Sequence, residues 1–378
     1  MNEEKFLVAL IRSCIKDEKV EFDVDSLDKR AFLRLVNKHN LHVLAYTALK
    51  KNNLYNEKFA FLKKQAFSVL TYSSVQQRET EKLIRLFEEN GIRCVPLKGY
   101  YVRLLYPSPE MRYLSDFDCL VKKSDYKKVK SVLKGTEFRC DSETIKHLEC
   151  HSSSGGLFEI HGQLYERFVD DEFVNLLFDE EKADGYEYVY KTSVEKQYLI
   201  VLSHLASHFL GGGLGVRNLI DVYLLNKERL NREELDKMLV KYKLKKFDER
   251  VTKASRVLFD DEESDEATDE FIEFSFSSFP LGDEKGKDLT DLARTYNGDL
   301  KSAQKSSLWK KIYPPYESMK GIYPFLEKKK WLLPFAHVRR HFAIIFKRRY
   351  QLKKFKSISE FKEEDVLRVK RMLEWLEI

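Results

Sequence analysis

The chain has 378 residues, of which 43% are hydrophobic and 34% charged, with a formal net charge of +6. That length accommodates two or three domains with cores of their own, and the apolar fraction excludes a disordered polymer. No apolar run reaches ~18 residues, so no membrane-spanning helix is expected.

Residues 1–90 carry apolar side chains at helical spacing: Phe6, Leu7, Leu10 and Ile11, then Phe32, Leu35 and Val36, then Leu44, Ala45, Leu70, Leu83 and Leu86. Asp25-Ser26 and Asn52-Asn53 read as turns between them. The acidic opening Met1-Asn2-Glu3-Glu4-Lys5 lacks the pattern of a signal peptide, so none is expected. This stretch is an N-terminal helical region.

Residues 91–190 change character. Cys94-Val95-Pro96-Leu97 reads as a short buried strand left through a turn at Lys98-Gly99. Tyr101, Leu104 and Leu105 then predict a short helix over Tyr100–Tyr106, which Pro107-Ser108-Pro109 ends. Ser115-Asp116-Phe117-Asp118-Cys119-Leu120-Val121 reads as a second strand. Side chains alternate along a strand, so Asp116 and Asp118 share one face, with Cα atoms roughly 7 Å apart. A third carboxylate lies in Leu157-Phe158-Glu159-Ile160-His161, a half-buried strand entered through a Gly155-Gly156 turn that fits a hairpin. If this strand pairs beside the Asp116–Asp118 strand, three acids converge. Such a trio can hold Mg²⁺ or Mn²⁺ against a nucleoside triphosphate, since Mg²⁺ takes one or two carboxylates together with substrate phosphates. Lys98 and Arg112 supply positive charge for phosphates; the structural alternative makes each a salt-bridge partner of the acids. Gly99 suggests close backbone approach to a ligand. His161 shares the acid face, where it orients a ligand or serves as a hydrogen-bonded structural residue.

From residue 191 to 378 the periodicity returns to helix. His204 and His208 stand four apart in the apolar run Gln197–Leu210, but no acid lies between them and no third ligand is evident, so core or cleft histidines are the simpler reading. Gly211-Gly212-Gly213 reads as a flexible helix C-cap, one that can line the substrate cleft, rather than as a phosphate loop. Arg217 and Asp221 are spaced for an i,i+4 ion pair. The acidic run near Asp260–Glu270 is a solvated loop or helix face, and polar Gly282–Ser307 is expected to form a mobile loop. Near the C-terminus Lys328-Lys329-Lys330, Arg339-Arg340, Lys347-Arg348-Arg349, Lys353-Lys354 and Lys356 interleave with Trp331, Phe335, Phe342, Phe346, Tyr350 and Phe355. Phe335, Phe342 and Phe346 fit one helical stripe, which predicts aromatics packed inward and a solvated basic face. A nucleic-acid surface is the alternative.

Cys14, Cys94, Cys119, Cys140 and Cys150 show no Cys-x-x-Cys spacing, and their odd number, with two of them in predicted core strands, predicts reduced thiols and a cytoplasmic location. The motifs Leu97-Lys98-Gly99, Leu105-Tyr106-Pro107, Arg112, Ser115-Asp116-Phe117-Asp118 and Phe158-Glu159-Ile160-His161 resemble the uncharacterised nucleotidyltransferase family of the DNA polymerase beta-like superfamily. His208 with Gly215-Val216-Arg217-Asn218-Leu219-Ile220-Asp221, and Tyr323-Pro324-Phe325-Leu326 with Trp331-Leu332-Leu333-Pro334, extend the likeness over roughly residues 30–350. The chain departs from the superfamily in carrying Lys98-Gly99-Tyr100 where a Gly-Gly or Gly-Ser pair is usual, with a longer gap to Asp116.

The resemblance implies an α+β fold: a small mixed-sheet core at 91–190, flanked by helices at 1–90 and 191–378. It implies an NTP and Mg²⁺ or Mn²⁺, with Asp116, Asp118 and Glu159 as catalytic metal ligands and Lys98, Gly99, Arg112 and Ser115 at the nucleotide. The expected reaction moves NMP from the NTP to a hydroxyl of a small molecule, protein or RNA and releases pyrophosphate. A catalytically weak nucleotide- or RNA-binding relative and a toxin-like tRNA-modifying transferase are the rival readings.

Overall fold

Five strands, β1 (Cys94–Pro96), β2 (Asp116–Val121), β3 (Arg139–Glu143), β4 (His147–His151) and β5 (Leu157–His161), form one sheet in the order β1-β2-β5-β4-β3. The structure, a computed structural model, describes residues 2–143, 147–164, 168–280, 282–347 and 358–378. Strand β2 runs antiparallel to β1 and parallel to β5, and the other pairings are antiparallel. The sheet is therefore mixed and the class is α+β, as expected. Gly155-Gly156 closes the β4–β5 hairpin: the Ser152 amide donates to the Gly156 carbonyl at 2.9 Å.

Period-two alternation gives the sheet two unlike faces. Phe117, Cys119, Val121, Leu148, Cys150, Phe158 and Ile160 form the apolar one. They pack against Leu83, Ile84 and Phe87 of the 30-residue helix Ala60–Glu89 and against Val129 and Leu133 of the helix Tyr126–Leu133. Each large side chain buried there contributes about 1.5–3 kcal/mol. The opposite face carries the acids and histidines. Packing on one side thus fixes the positions of polar groups on the other.

The chain divides into two compact units, Met1–Ser207 with Gly215–Pro280, and His208–Leu214 with Leu281–Ile378. The first contains the sheet and the expected N-terminal helices Asn2–Ile15, Lys29–His39, His42–Lys51 and Ala60–Glu89. Asp28 caps the second of these by accepting from the Arg30 and Ala31 amides.

In the second unit Gly282–Ser307 is not a loop. It forms the helix Glu284–Thr295 and most of the helix Leu300–Ile312. Asp283 and Asp299 cap them through the Gly286 and Ser302 amides, and buried Leu292, Ala293 and Ala303 anchor them. Polar composition concealed these few anchors. Gly211–Gly213 does cap its helix, with the Gly213 amide donating to the His208 carbonyl at 3.0 Å. Gly212 has φ +87°, and a Cβ there would stand 2.0 Å from the Gly286 carbonyl carbon. The glycine run thus serves a backbone-to-backbone approach.

Two further expectations fail. Phe335 and Phe342 do not pack inward: each is 59% exposed, and Trp331 is 75% exposed. The helix Leu333–Lys347 buries Ala336 and Ile344 instead, so the stripe that periodicity assigned to the core faces solvent. The side chains of Phe346 and Lys347, and residues Arg348, Arg349, Tyr350, Lys353, Lys354, Phe355 and Lys356, lie outside the described set. Cys140 and Cys150, directly opposite across β3 and β4, form a disulfide. The reduced-thiol reading holds only for buried Cys14, Cys94 and Cys119. A cross-strand pairing needs β3, which the sequence reading did not identify.

Candidate active site

Register brings the acids together. In the parallel β2–β5 pair Asp118 lies opposite Glu159, and in the antiparallel β4–β5 pair His147 lies opposite His161 and Glu149 opposite Glu159. Since Asp116 shares a face with Asp118, all of these project from the polar face. His161 Nε2 is 2.8 Å from Asp118 Oδ1 and 3.6 Å from Glu159 Oε2, while His147 Nδ1 is 3.5 Å from the same Glu159 oxygen. Lys98 Nζ is 3.6 Å from Asp118 Oδ1. Ser115 donates its hydroxyl to Asp116 at 2.9 Å, and its carbonyl accepts from the Tyr72 hydroxyl at 3.0 Å.

The two facing acids are driven apart electrostatically. Burial works to raise the Asp118 pKa, but Lys98 and His161 outweigh it, with a smaller contribution from His204, and hold the carboxyl well below the usual range. Glu159 moves the other way. Burial, then the negative charges of Asp118 and Asp116, lift it from 4.5 to about 7, against a smaller pull from Lys98. One carboxylate is thus fixed in the charged form and its neighbour is poised to take up a proton near neutrality.

Lys98 sits in a strained turn. Its backbone has φ 49° and ψ −115°, and the Tyr100 amide donates to the Leu97 carbonyl at 3.2 Å. These values describe a type II′ turn with lysine at the position glycine usually takes. Strain of this kind costs about 1–3 kcal/mol and concentrates at functional sites. Gly99 has a different reason: a Cβ there would lie 2.5 Å from Leu114 Cδ1 and 2.6 Å from Arg112 Nη1. The close approach it permits is to this chain's own side chains.

Arg112 does not ion-pair with the aspartates of β2. It makes a bidentate pair with Asp221, Nε to Oδ1 at 2.9 Å and Nη2 to Oδ2 at 2.8 Å, and the Tyr106 hydroxyl donates to Asp221 Oδ1 at 2.8 Å. The expected Arg217–Asp221 helix pair gives way to this arrangement. Arg217, 6% exposed, instead donates Nη1 to the Tyr113 carbonyl at 3.2 Å, and its Nε has no hydrogen-bond partner. Burial and the nearby Arg112 lower its pKa, while Asp221 and Asp116 oppose that shift.

The residues that sequence reasoning missed are His147 and Glu149 on β4 and the field of His204 at Asp118. The signal was present for the first two: His147-Leu148-Glu149-Cys150-His151 alternates polar and apolar just before the glycine turn. Among the described residues, His147, Glu159 and His161 form a cluster of metal-ligating side chains, their donor atoms all within 4.8 Å of one another. His204 and His208 are not part of it.

A family model described as uncharacterised nucleotidyltransferase matches residues 25–260, well over half the chain. The match contains every residue named at this site and ends before Tyr323–Pro334, which the sequence reading had included. No curated protein and no solved structure matches the chain.

Proposed function

The chain belongs to the uncharacterised nucleotidyltransferase family, and from that premise we propose that it is a metal-dependent enzyme moving NMP from an NTP to an acceptor hydroxyl, with release of pyrophosphate. One observation carries the reading. Asp116, Asp118 and Glu159 share one sheet face, and Glu159 is raised to about 7 by burial and then by the negative charges of Asp118 and Asp116. A divalent cation neutralises that crowding, so the donor set fits Mg²⁺ or Mn²⁺. The ion, when bound, supplies positive charge to the triphosphate and aligns attacking and leaving oxygens.

The chain's own groups do the rest. Asp116, held by the Ser115 hydroxyl, and Asp118 present carboxylate oxygens for the ion. Glu159 accepts the proton of the acceptor hydroxyl as its oxygen attacks the α-phosphorus. The bond from that phosphorus to the bridging oxygen breaks, and pyrophosphate leaves with the electron pair. Lys98, its ammonium 3.6 Å from Asp118, would offer that positive charge to the triphosphate. Arg112 acts through its position beside Gly99, fixed by Asp221. Positioning and charge stabilisation account for most of the rate gain in such a transfer.

A nucleic-acid acceptor is the second reading, favoured by exposed Trp331, Phe335 and Phe342 on a segment that also exposes Lys328, Lys329 and Lys330. The test of both is incubation with each α-labelled NTP, Mg²⁺ or Mn²⁺ and fractionated cell extract, comparing wild type with Asp116→Asn/Asp118→Asn. Label entering one fraction with wild type alone supports transfer, and an RNA fraction supports the second reading. Nucleotide binding without acid-dependent label would replace the transferase reading with a binding protein.

A further inference from the structure

The polar sheet face is not chemically uniform. Toward Asp116 it offers only oxygen; toward His147 it offers two imidazoles and a carboxylate, with Asp118 between the halves. We propose that His147, His161 and Glu159, with Asp118 at their edge, form a nitrogen-rich seat for a later first-row transition-metal dication, such as Zn²⁺, in preference to Mg²⁺. This deepens the metal-dependent reading above and rests on it for the ion's role in transfer.

Three observations support the seat. The first is spacing. Donors bound cis on an ion at about 2.1 Å stand roughly 3 Å apart, and trans donors roughly 4.2 Å. Here the His147–Glu159 and His161–Glu159 separations are 3.5 and 3.6 Å, the donor atoms of all three residues lie within 4.8 Å of one another, and Asp118 Oδ1 is hydrogen-bonded to His161 Nε2 at 2.8 Å. The second is rigidity. The donors come from three hydrogen-bonded neighbours, β2, β5 and β4, and His147 and His161 are register partners with ring centroids 5.2 Å apart. The third is donor chemistry. Mg²⁺ takes oxygen ligands and sheds water reluctantly, whereas imidazole favours later first-row ions. His147 and His161 side chains are only 15% and 8% exposed. An ion there would exchange most of its water for protein ligands.

The experiment is Mn²⁺ binding to the full chain without nucleotide, followed by electron paramagnetic resonance, with pulsed detection of coupling to imidazole nitrogen. Zn²⁺ and Mg²⁺ serve as competitors. Wild type should show nitrogen coupling, with Zn²⁺ displacing Mn²⁺ at far lower concentration than Mg²⁺. His147→Ala should weaken binding by about tenfold or more and reduce the coupling. Asp116→Asn should retain the nitrogen signal. His147→Gln, which keeps a polar side chain, guards against loss through misfolding, and thermal melts of each variant check the fold.

Absence of nitrogen coupling in wild type, or unchanged affinity and coupling in folded His147→Ala and His147→Gln, overturns the proposal. Coupling without acid-dependent label transfer would sustain the seat and sink the transferase reading. Transfer without nitrogen coupling would do the reverse.

Discussion

Arg112 and Asp221, 109 residues apart, meet in a two-point ion pair at 2.9 and 2.8 Å, with Asp221 only 1% exposed. This pair ties the loop before β2 to the helix Val216–Leu225, and its arginine is what presses against Gly99. Removing one partner of such a pair strands the other charge in a low-dielectric setting, which costs about 3–5 kcal/mol. Asp221→Ala should therefore lower the denaturation midpoint sharply, and Asp221→Asn less so. The double variant Arg112→Met/Asp221→Leu should recover much of the loss. Equal stability of Asp221→Ala and wild type in urea would show that the pair is not closed in solution.

Glu159 gives a pH dependence with a definite sign. Its folded pKa, about 7, lies above its ordinary 4.5. Between those values the folded state holds a proton that the unfolded state has released, so stability falls as pH rises through the window. The cost is complete above pH 7 and amounts to at most about 3 kcal/mol in the metal-free protein. Glu159→Gln removes the charge. It should match wild type in stability at pH 4 and exceed it at pH 8, while losing transfer activity. Thermal melts at both pH values with a chelator present make the comparison. A variant less stable than wild type at pH 8 would contradict the crowding on which the metal reading depends.

Lys98 combines strained backbone with a buried ammonium, and two substitutions separate them. Lys98→Ala removes the ammonium beside Asp118 but keeps a Cβ at φ 49°. Lys98→Gly removes both. Both should be less stable than wild type if the charge pairing outweighs the strain, and Lys98→Gly should exceed Lys98→Ala by about 1–2 kcal/mol. Both should lose transfer activity. Equal stability of the two would mean that the II′ turn relaxes when the lysine is gone.

The strands of the acids were legible because alternation writes itself into few residues: Asp116-Phe117-Asp118 and Phe158-Glu159-Ile160 each declare a polar and an apolar face. Their adjacency was a conjecture that register bears out, with Asp118 opposite Glu159. Less legible were relationships that no local pattern encodes. Asp221 had a sequence-near partner in Arg217 and a spatial one in Arg112, and only the packed helix decides between them. Exposure behaved similarly. Periodicity grouped Phe335 with Phe342 correctly, but it cannot say whether a stripe meets a neighbour or water. His147 was overlooked because a five-residue strand without a strong β-branched run gives little notice, although its alternation was there to read.

That exposed stripe yields a final expectation. Trp331, Phe335, Val338 and Phe342 are all more than half exposed, so they contribute little to the packing of their own unit. Phe335→Ser/Phe342→Ser should change stability by no more than about 1 kcal/mol, as surface substitutions away from packed features do. If the stripe stacks bases of a single-stranded acceptor, the same change should weaken RNA binding by about 1–3 kcal/mol per lost stack while leaving the salt dependence unaltered. Lys328→Ala/Lys329→Ala should instead reduce the salt dependence, because each lost phosphate contact releases fewer counterions. Fluorescence binding to a labelled single-stranded RNA over a series of salt concentrations separates the two effects. Marked destabilisation by the aromatic pair would show that the stripe is covered within the protein, and a nucleic-acid acceptor would then have to be sought elsewhere on the chain.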